Sequence, residues 1–159
     1  MGEKNETPKP SFPLQIDGRW KAVLTDEAGN EKQRVEGHNI VVETGVERLA
    51  EFLASANAAA SSFNFNFIGI GTDGTAEAAS NTALGVEVSR HTGIVSYISG
   101  GIYQVVATFA AGSGTGAIVE YGLFNANSSG TLFSRDTESV INKGSGDTLT
   151  VTAQYTFSG

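Results

Sequence analysis

Residues 148–157 read TLTVTAQYTF, a run in which threonine or glutamine alternates with an apolar residue at every step. A period of two sends successive side chains to opposite faces of a β-strand, so the run predicts a strand with one buried and one solvated face. Residues 63–68, FNFNFI, repeat the pattern with three phenylalanines. Further extended runs at 19–24 and up to Val35 flank the polar stretch 26–30, which predicts a hairpin.

The middle of the chain predicts more hairpins. Residues 94–98 and 102–109 flank Gly100-Gly101, a pair that tolerates the positive φ of a two-residue turn. Further strands are predicted at 117–124 and, after a polar turn, at 131–134. Seven to nine strands separated by turns predict a mainly β fold, an antiparallel β-sandwich or a barrel-like domain.

One short helix is predicted at about residues 45–56. Thr44 and Glu47 have the spacing of a capping box, in which each side chain satisfies a free amide of the other. The apolar residues that follow have helical spacing: Val46, Leu49, Ala50 and Leu53. We therefore expect this face to pack on the sheet.

Composition excludes several functional classes. The 159 residues suit a single domain, and the formal charge of −7 argues against a groove that follows nucleic-acid phosphates. With no cysteine, there can be no disulfide, thiolate metal site or cysteine nucleophile. No secretory signal or membrane span is recognisable, so we expect synthesis in a cytoplasm and no membrane partner.

Charge is unevenly distributed along the chain. Residues 52–159 contain three basic and seven acidic side chains, a low charge for an isolated monomer. A neutral surface of this kind is compatible with burial against other copies or a partner.

The first 17 residues predict an extended N-terminal arm, and residues 18–159 the β-rich domain. Proline fixes φ and removes a hydrogen-bond donor, so the arm can form neither a helix interior nor a central strand. The candidate contact residues of the arm are three prolines and three alternating apolar residues: Pro8, Pro10, Phe12, Pro13, Leu14 and Ile16.

Motifs that could bind a nucleotide or act as a nucleophile are weak. Residues 69–74, GIGTDG, fit the spacing G-x-G-x-x-G, but the strands that follow look like hairpins rather than a parallel βαβ unit, and a turn is the better interpretation. His38 and His91 lie in no ligand-spaced cluster, and each could pair with a nearby carboxylate, Glu36 and Glu87 respectively. No serine lies in a nucleophile-elbow motif. We predict no catalytic residue, cofactor, metal or small-molecule substrate.

Glu120 is the most unusual carboxylate, because it interrupts an otherwise apolar strand. A half-buried carboxylate needs a cation, and Arg90 and Arg135 are the candidates. The acidic turns at 26–30 and around Asp73 lack the spacing of a calcium loop. A glycan hydrolase that uses two carboxylates would need them about 5 to 9.5 Å apart in one cleft.

Four segments resemble small virion structural proteins of tailed bacteriophages. They are residues 38–45 (HNIVVETG), 68–72 with 81–90 (IGIGT, NTALGVEVSR), 119–125 with 132–135 (VEYGLFN, LFSR) and the closing 143–157. Proteins of this group decorate capsids or form tail and fibre parts. The resemblance implies a non-enzymatic β-rich part of the particle, with Glu87, Arg90, Glu120 and Arg135 as ion pairs that hold the fold or a subunit contact.

On this basis we expect a capsid decoration (cement) protein on the outer surface of the head. Its partners would be the major capsid protein and copies of itself, with a homotrimer expected, and the arm would be the main contact. The alternative is a head-fibre, tail-fibre or baseplate component that binds a receptor or glycan. Exposed tyrosines at 97, 103 and 121 would favour the alternative, whereas a smooth Ser/Thr face would favour decoration.

Overall fold

A computed structural model gives the fold and describes residues 14–54 and 64–158. Its elements within these ranges are β1 (Gln15–Thr25), β2 (Glu31–His38), β3 (Ile40–Val41), α1 (Glu43–Ala54), β4 (Phe67–Gly71), β5 (Glu87–Thr92), β6 (Ile94–Ile98), β7 (Ile102–Phe109), β8 (Gly116–Phe124), β9 (Leu132–Lys143) and β10 (Thr148–Ser158). They form two antiparallel five-stranded sheets, sheet A in the order β2-β1-β10-β7-β6 and sheet B in the order β3-β9-β8-β4-β5. The predicted fold class, mainly β with one short helix, is confirmed.

The chain passes from one sheet to the other at both edges of the sandwich. Asn39 joins β2, at the edge of sheet A, to β3, at the edge of sheet B, and Gly93 joins β5 to β6 at the opposite side. A Cβ on Gly93 would lie 2.4 Å from Val105 Cγ1, so only glycine fits this second corner. At both corners a single residue therefore carries the chain from one sheet of the sandwich to the other.

The core lies between the sheets and is built from the alternating inward residues of the strands. On β10 the inward set is Leu149, Val151, Ala153 and Tyr155, each fully buried, as the alternation in residues 148–157 predicts. Trp20, Phe109 and Ile118 from the other strands pack into the same cluster. A smaller cluster lies on the outer side of sheet B, where Leu84 of the connection 72–86 packs on Phe124.

Several predicted strands match the structure, and others needed correction. Residues 94–98 and 102–109 form β6 and β7, and the turn between them has φ values of 82° and 76° at Gly100 and Gly101. The short strand predicted at 131–134 is β9, which continues to Lys143, and β3 and β5 raise the count to ten among the described residues. The glycine motif at 69–74 is not a turn at its start, because Gly69 and Gly71 lie within β4.

The structure describes only the end of the predicted N-terminal arm. Residues 1–13, with Pro8, Pro10, Phe12 and Pro13, lie outside the described residues. Leu14 is 64% exposed, but residues 15–17 already belong to β1, where Gln15 pairs with Ser158. The side chain of Ile16 packs against the core, so it contributes to the domain.

The helix packs differently from the prediction. It begins at Glu43, and the Thr44 hydroxyl donates to the carbonyl oxygen of Leu132 at 3.1 Å, so the predicted capping box is wrong. Val46 and Leu53, two residues of the predicted packing face, are 50% and 74% exposed. The buried residue of α1 is Gly45, which lets the helix backbone approach β9 closely.

We predict that Gly45→Ala destabilises the domain although alanine is the better helix former by about 1 kcal/mol. The new Cβ would lie 2.5 Å from the carbonyl oxygen of Phe133, and overpacking of this kind costs about 1–3 kcal/mol. Chemical denaturation measures the change. Gly74→Ala is the matched control, because a Cβ there meets nothing within 4 Å; equal effects of the two substitutions would contradict the packing role of Gly45.

Candidate functional site

The outer face of sheet A is the side of that sheet that points away from the core, and its residues are partly open to solvent. The connection 72–86 and helix α1 pack on sheet B, through Leu84 and Gly45. On β10 the outward residues, such as Thr150, Thr152 and Gln154, are all half-buried. Along β10 this face is therefore built of level side chains that a partner could cover.

Half of this face carries no charge. The three adjacent strands β10, β7 and β6 contain no Asp, Glu, Lys or Arg. We call their outward side chains the neutral face: Ile94, Ser96, Ile98, Ile102, Gln104, Val106, Thr108, Thr148, Thr150, Thr152, Gln154 and Thr156. Gln154 donates to Gln104 across the strands at 2.6 Å, so the two longest polar side chains are held down on the sheet.

A polar groove of about 560 Å³ borders the neutral face on its β1 and β2 side. Arg19, Lys21, Glu36 and His38 line it together with residues of the neutral face. Asp17 lies 3.2 Å from Arg19 Nε and 3.4 Å from His38 Nδ1, and the hydrogen bond from Arg19 lowers the pKa of the Asp17 carboxyl. His38 therefore approaches Asp17 and not the predicted Glu36, which contacts Arg34 instead.

Glu120 and Arg135 form a buried ion pair on the outer side of sheet B. Both are at most 2% exposed, and Arg135 donates through Nε and Nη2 to Glu120 Oε2 at 3.1 and 2.9 Å. Glu120 also accepts from the amides of Asp73, Gly85 and Val86 at 3.2, 2.8 and 2.8 Å. The carboxylate thus anchors both ends of the connection 72–86.

Arg135 binds the middle of the same connection. It donates to the carbonyl oxygen of Thr75 at 2.9 Å and to Asn81 Oδ1 at 3.3 Å. Since Glu120 is fully buried and fully engaged, it is not placed to protonate or attack a glycan. The pair is a structural device of this chain, and of the two candidate cations Arg135 is the partner.

Arg90, the other candidate cation, pairs with Glu87. Its guanidinium contacts the Glu87 carboxylate at 2.5 and 2.9 Å and lies 3.4 Å above the ring centre of Phe124. It also donates to the carbonyl oxygens of Ala126 and Ser129, at 2.9 and 2.7 Å. Arg90 therefore fixes the turn after β8 against β5.

Sequence reasoning missed a contact between His91 and Ser113. His91 Nδ1 lies 3.0 Å from the carbonyl oxygen of Thr108, which can only accept, so Nδ1 carries a proton, and Nε2 lies 2.9 Å from Ser113 Oγ. A serine hydroxyl beside a histidine ring whose other nitrogen is held by an acceptor is also the arrangement of a serine nucleophile and its general base. The nearby amides of Gly112 and Ser113 donate to the carbonyl oxygens of Ser145 and Ala110, so neither is available to an oxyanion. The pair fixes the glycine-rich turn 112–116, and Glu87 is not the partner of His91.

The structure also bears on the nucleotide, metal and glycan sites that the sequence analysis considered and did not predict. β4 pairs antiparallel with β5 and β8, which excludes the parallel βαβ unit that a G-x-G-x-x-G site requires. The described residues hold no group of three His, Asp or Glu that could bind a metal ion. Tyr121 is 1% exposed and Tyr103 is partly buried, so Tyr97 alone of the three tyrosines is exposed, at 79%.

Asp136 is a second buried carboxyl, on the inner side of β9 opposite Tyr121. It is 1% exposed, and its Oδ2 has no hydrogen-bond partner among the described residues. Burial, with the added negative charges of Glu138 and Glu77, raises the pKa of Asp136 from 3.8 to about 7. Asp136 therefore carries its proton in the folded protein at mildly acidic pH.

Comparisons with known proteins leave the family open. No protein-family model matches the chain, and no curated protein or solved structure matches it significantly. In the described part of the chain, no helix is long and apolar enough to cross a membrane.

We predict that Glu120→Gln lowers the free energy of unfolding by about 3–5 kcal/mol, because it leaves the buried guanidinium of Arg135 without its counter-charge. Urea unfolding measures the loss. The matched control is Glu31→Gln, which breaks the exposed pair with Arg34 and should cost at most about 1 kcal/mol. A loss no larger than that of the control would remove the anchoring role of Glu120.

The raised pKa of Asp136 predicts that the stability of the protein depends on pH in a specific way. Its pKa is higher in the folded protein than in the unfolded chain, so its contribution is fully present below about pH 4 and is lost as the pH rises to about 7. We expect the loss to be on the order of 4 kcal/mol, the equivalent of a pKa shift from 3.8 to about 7, and Asp136→Asn to abolish it. Thermal melts from pH 4 to 8 measure this change. Asp17→Asn, the same substitution at an exposed carboxyl, should leave the loss in place; parallel curves for the wild type and Asp136→Asn would contradict the assignment.

Proposed function

We propose that this protein is a bacteriophage capsid decoration protein that binds the outer surface of the head as a symmetric oligomer. The neutral face of sheet A carries the proposal. Together with the resemblance to virion structural proteins, it favours a part that is covered on assembly over a part that acts on a small molecule.

The neutral face has the properties of a surface made for a protein partner. Its threonine and glutamine side chains are short or held to the sheet, so little conformational entropy is lost when a partner covers them. Charged residues are depleted at the centre of protein interfaces, and three adjacent strands here contain none.

Sheet A begins directly after the residues that we propose as the arm. β1 begins at Gln15 and lies next to β10, whose outward residues belong to the neutral face. An arm bound to the shell would therefore hold the domain by the same sheet. Many copies on one lattice would raise the overall affinity through multivalency.

The fibre or baseplate alternative has less support. Sugars bind by stacking on exposed aromatic rings, and of the three candidate tyrosines only Tyr97 is exposed. From the sequence, a smooth Ser/Thr face is the feature that would favour decoration, and the neutral face is rich in threonine. The glycan-hydrolase hypothesis loses Glu120, which is buried against Arg135.

We predict that deletion of residues 1–13 abolishes binding to purified capsids that lack the protein. The deletion removes Pro8, Pro10, Phe12 and Pro13 but leaves β1 complete from Gln15, so the melting temperature should not change. Cosedimentation with capsids measures binding.

Deletion of residues 1–7 is the matched control, because it shortens the arm but keeps its candidate contact residues and should preserve binding. Undiminished binding of the longer deletion would overturn the role of the arm. If the full chain also fails to bind capsids, and mass spectrometry finds it in virions at far fewer copies than the major capsid protein, decoration itself is wrong.

A further inference from the structure

β6 is an open sheet edge with an apolar surface. It ends sheet A, and among the described residues its one ladder partner is β7. Ile94 is 76% exposed, Val95 47% and Tyr97 79%. An edge strand offers unpaired main-chain donors and acceptors, so an exposed apolar edge is a template for pairing with another strand.

The opposite edge of the same sheet shows how this protein protects a strand from such pairing. β2 contains four charged residues in eight, Glu31, Lys32, Arg34 and Glu36, whereas β6 contains none in five. Charged side chains, prolines and bulges are the usual protection of edges, and β6 has none of the three. The difference between the two edges of one sheet indicates that β2 is made to face water, whereas β6 is made to be covered by another strand.

The sequence of β6 is complementary to itself. If two β6 strands pair antiparallel about Ser96, Ile94 faces Ile98 of the second copy on the outer side of the sheet. Val95 faces Tyr97 of the second copy on the inner side. Both are apolar cross-strand pairs, of a β-branched residue with an aromatic or a second β-branched residue, which stabilise antiparallel ladders.

We infer that two copies of this chain associate through β6 about a twofold axis at Ser96, which joins the two A sheets into one ten-stranded sheet. A residue that lies opposite its own copy is the signature of an isologous contact. The register keeps Ile94 and Ile98 on one side, so the two neutral faces become one continuous surface.

Charge does not oppose a second copy at this edge. Each chain carries a formal charge of −7, so two copies repel each other wherever their charged parts meet. From His91 to Val119 there is no Asp, Glu, Lys or Arg, and β6 lies within this stretch. An uncharged edge also gives a charged partner nothing to recognise. The inference concerns the free protein and holds whether or not the protein binds capsids.

Charge reversal at the twofold axis tests the contact. We expect the full-length protein to sediment as a dimer, or as a multiple of dimers, and not as the homotrimer expected from the sequence. Ser96→Lys and Ser96→Glu, which place like charges opposite each other, should each give monomers, and an equimolar mixture of the two variants should restore the dimer. Thr108→Lys, an exposed position on the same outer face but on β7, is the matched control and should remain dimeric.

The absence of cysteine allows the register to be tested as well. Ser96→Cys should form an intermolecular disulfide on mild oxidation, because residues directly opposite each other bring their Cβ atoms within about 4.5–5.5 Å. Ile94→Cys should form few such dimers alone but many when mixed with Ile98→Cys. A monomeric or trimeric wild type, a dimer that survives Ser96→Lys, or cross-linking at Thr108→Cys equal to that at Ser96→Cys would each overturn the inference.

Discussion

The buried ion pair of Glu120 and Arg135 is the interaction on which the organisation of sheet B depends. It satisfies amides and carbonyls of the connection 72–86, which would otherwise lie on an apolar sheet without partners. That connection in turn brings Leu84 onto Phe124 and closes the outer cluster. The position of the Glu120 side chain also requires a glycine at position 71, since a Cβ there would lie 2.3 Å from Glu120 Oε1.

The strands that alternate cleanly could be predicted from the sequence, because their burial is decided by one face alone. Residues 148–157 and the hairpin across Gly100-Gly101 are of this kind. β9 could not be predicted at its full length, since residues 132–136 are buried on both faces and include Ser134, Arg135 and Asp136. A strand that is covered on both sides shows no alternation of polar and apolar residues. Its polar residues therefore favour a loop in any prediction that depends on alternation.

The partners of charged residues depend on register, which a single sequence does not contain. Arg135 pairs in the ladder with Gly122, two residues along β8 from Glu120 and on the same face. The contact of His91 with Ser113 depends on the fold as well, because it joins β5 to the turn between β7 and β8. The helix shows the same limit: its apolar spacing is real, but close backbone approach at Gly45 decided how α1 packs.

The two sheets differ in where their charged groups lie. On sheet B the pairs Glu120 with Arg135 and Glu87 with Arg90 are satisfied within the chain, so they offer little to a partner. Sheet A holds the neutral face, the open β6 edge and the start of β1, and its ionic groups are confined to β1 and β2. A monomer in water gains nothing from gathering its uncharged strands on one side, whereas an assembly unit does, because desolvation of neutral threonine costs far less than desolvation of charge. The segregation of charge within sheet A is therefore the physical argument behind the assembly proposed above.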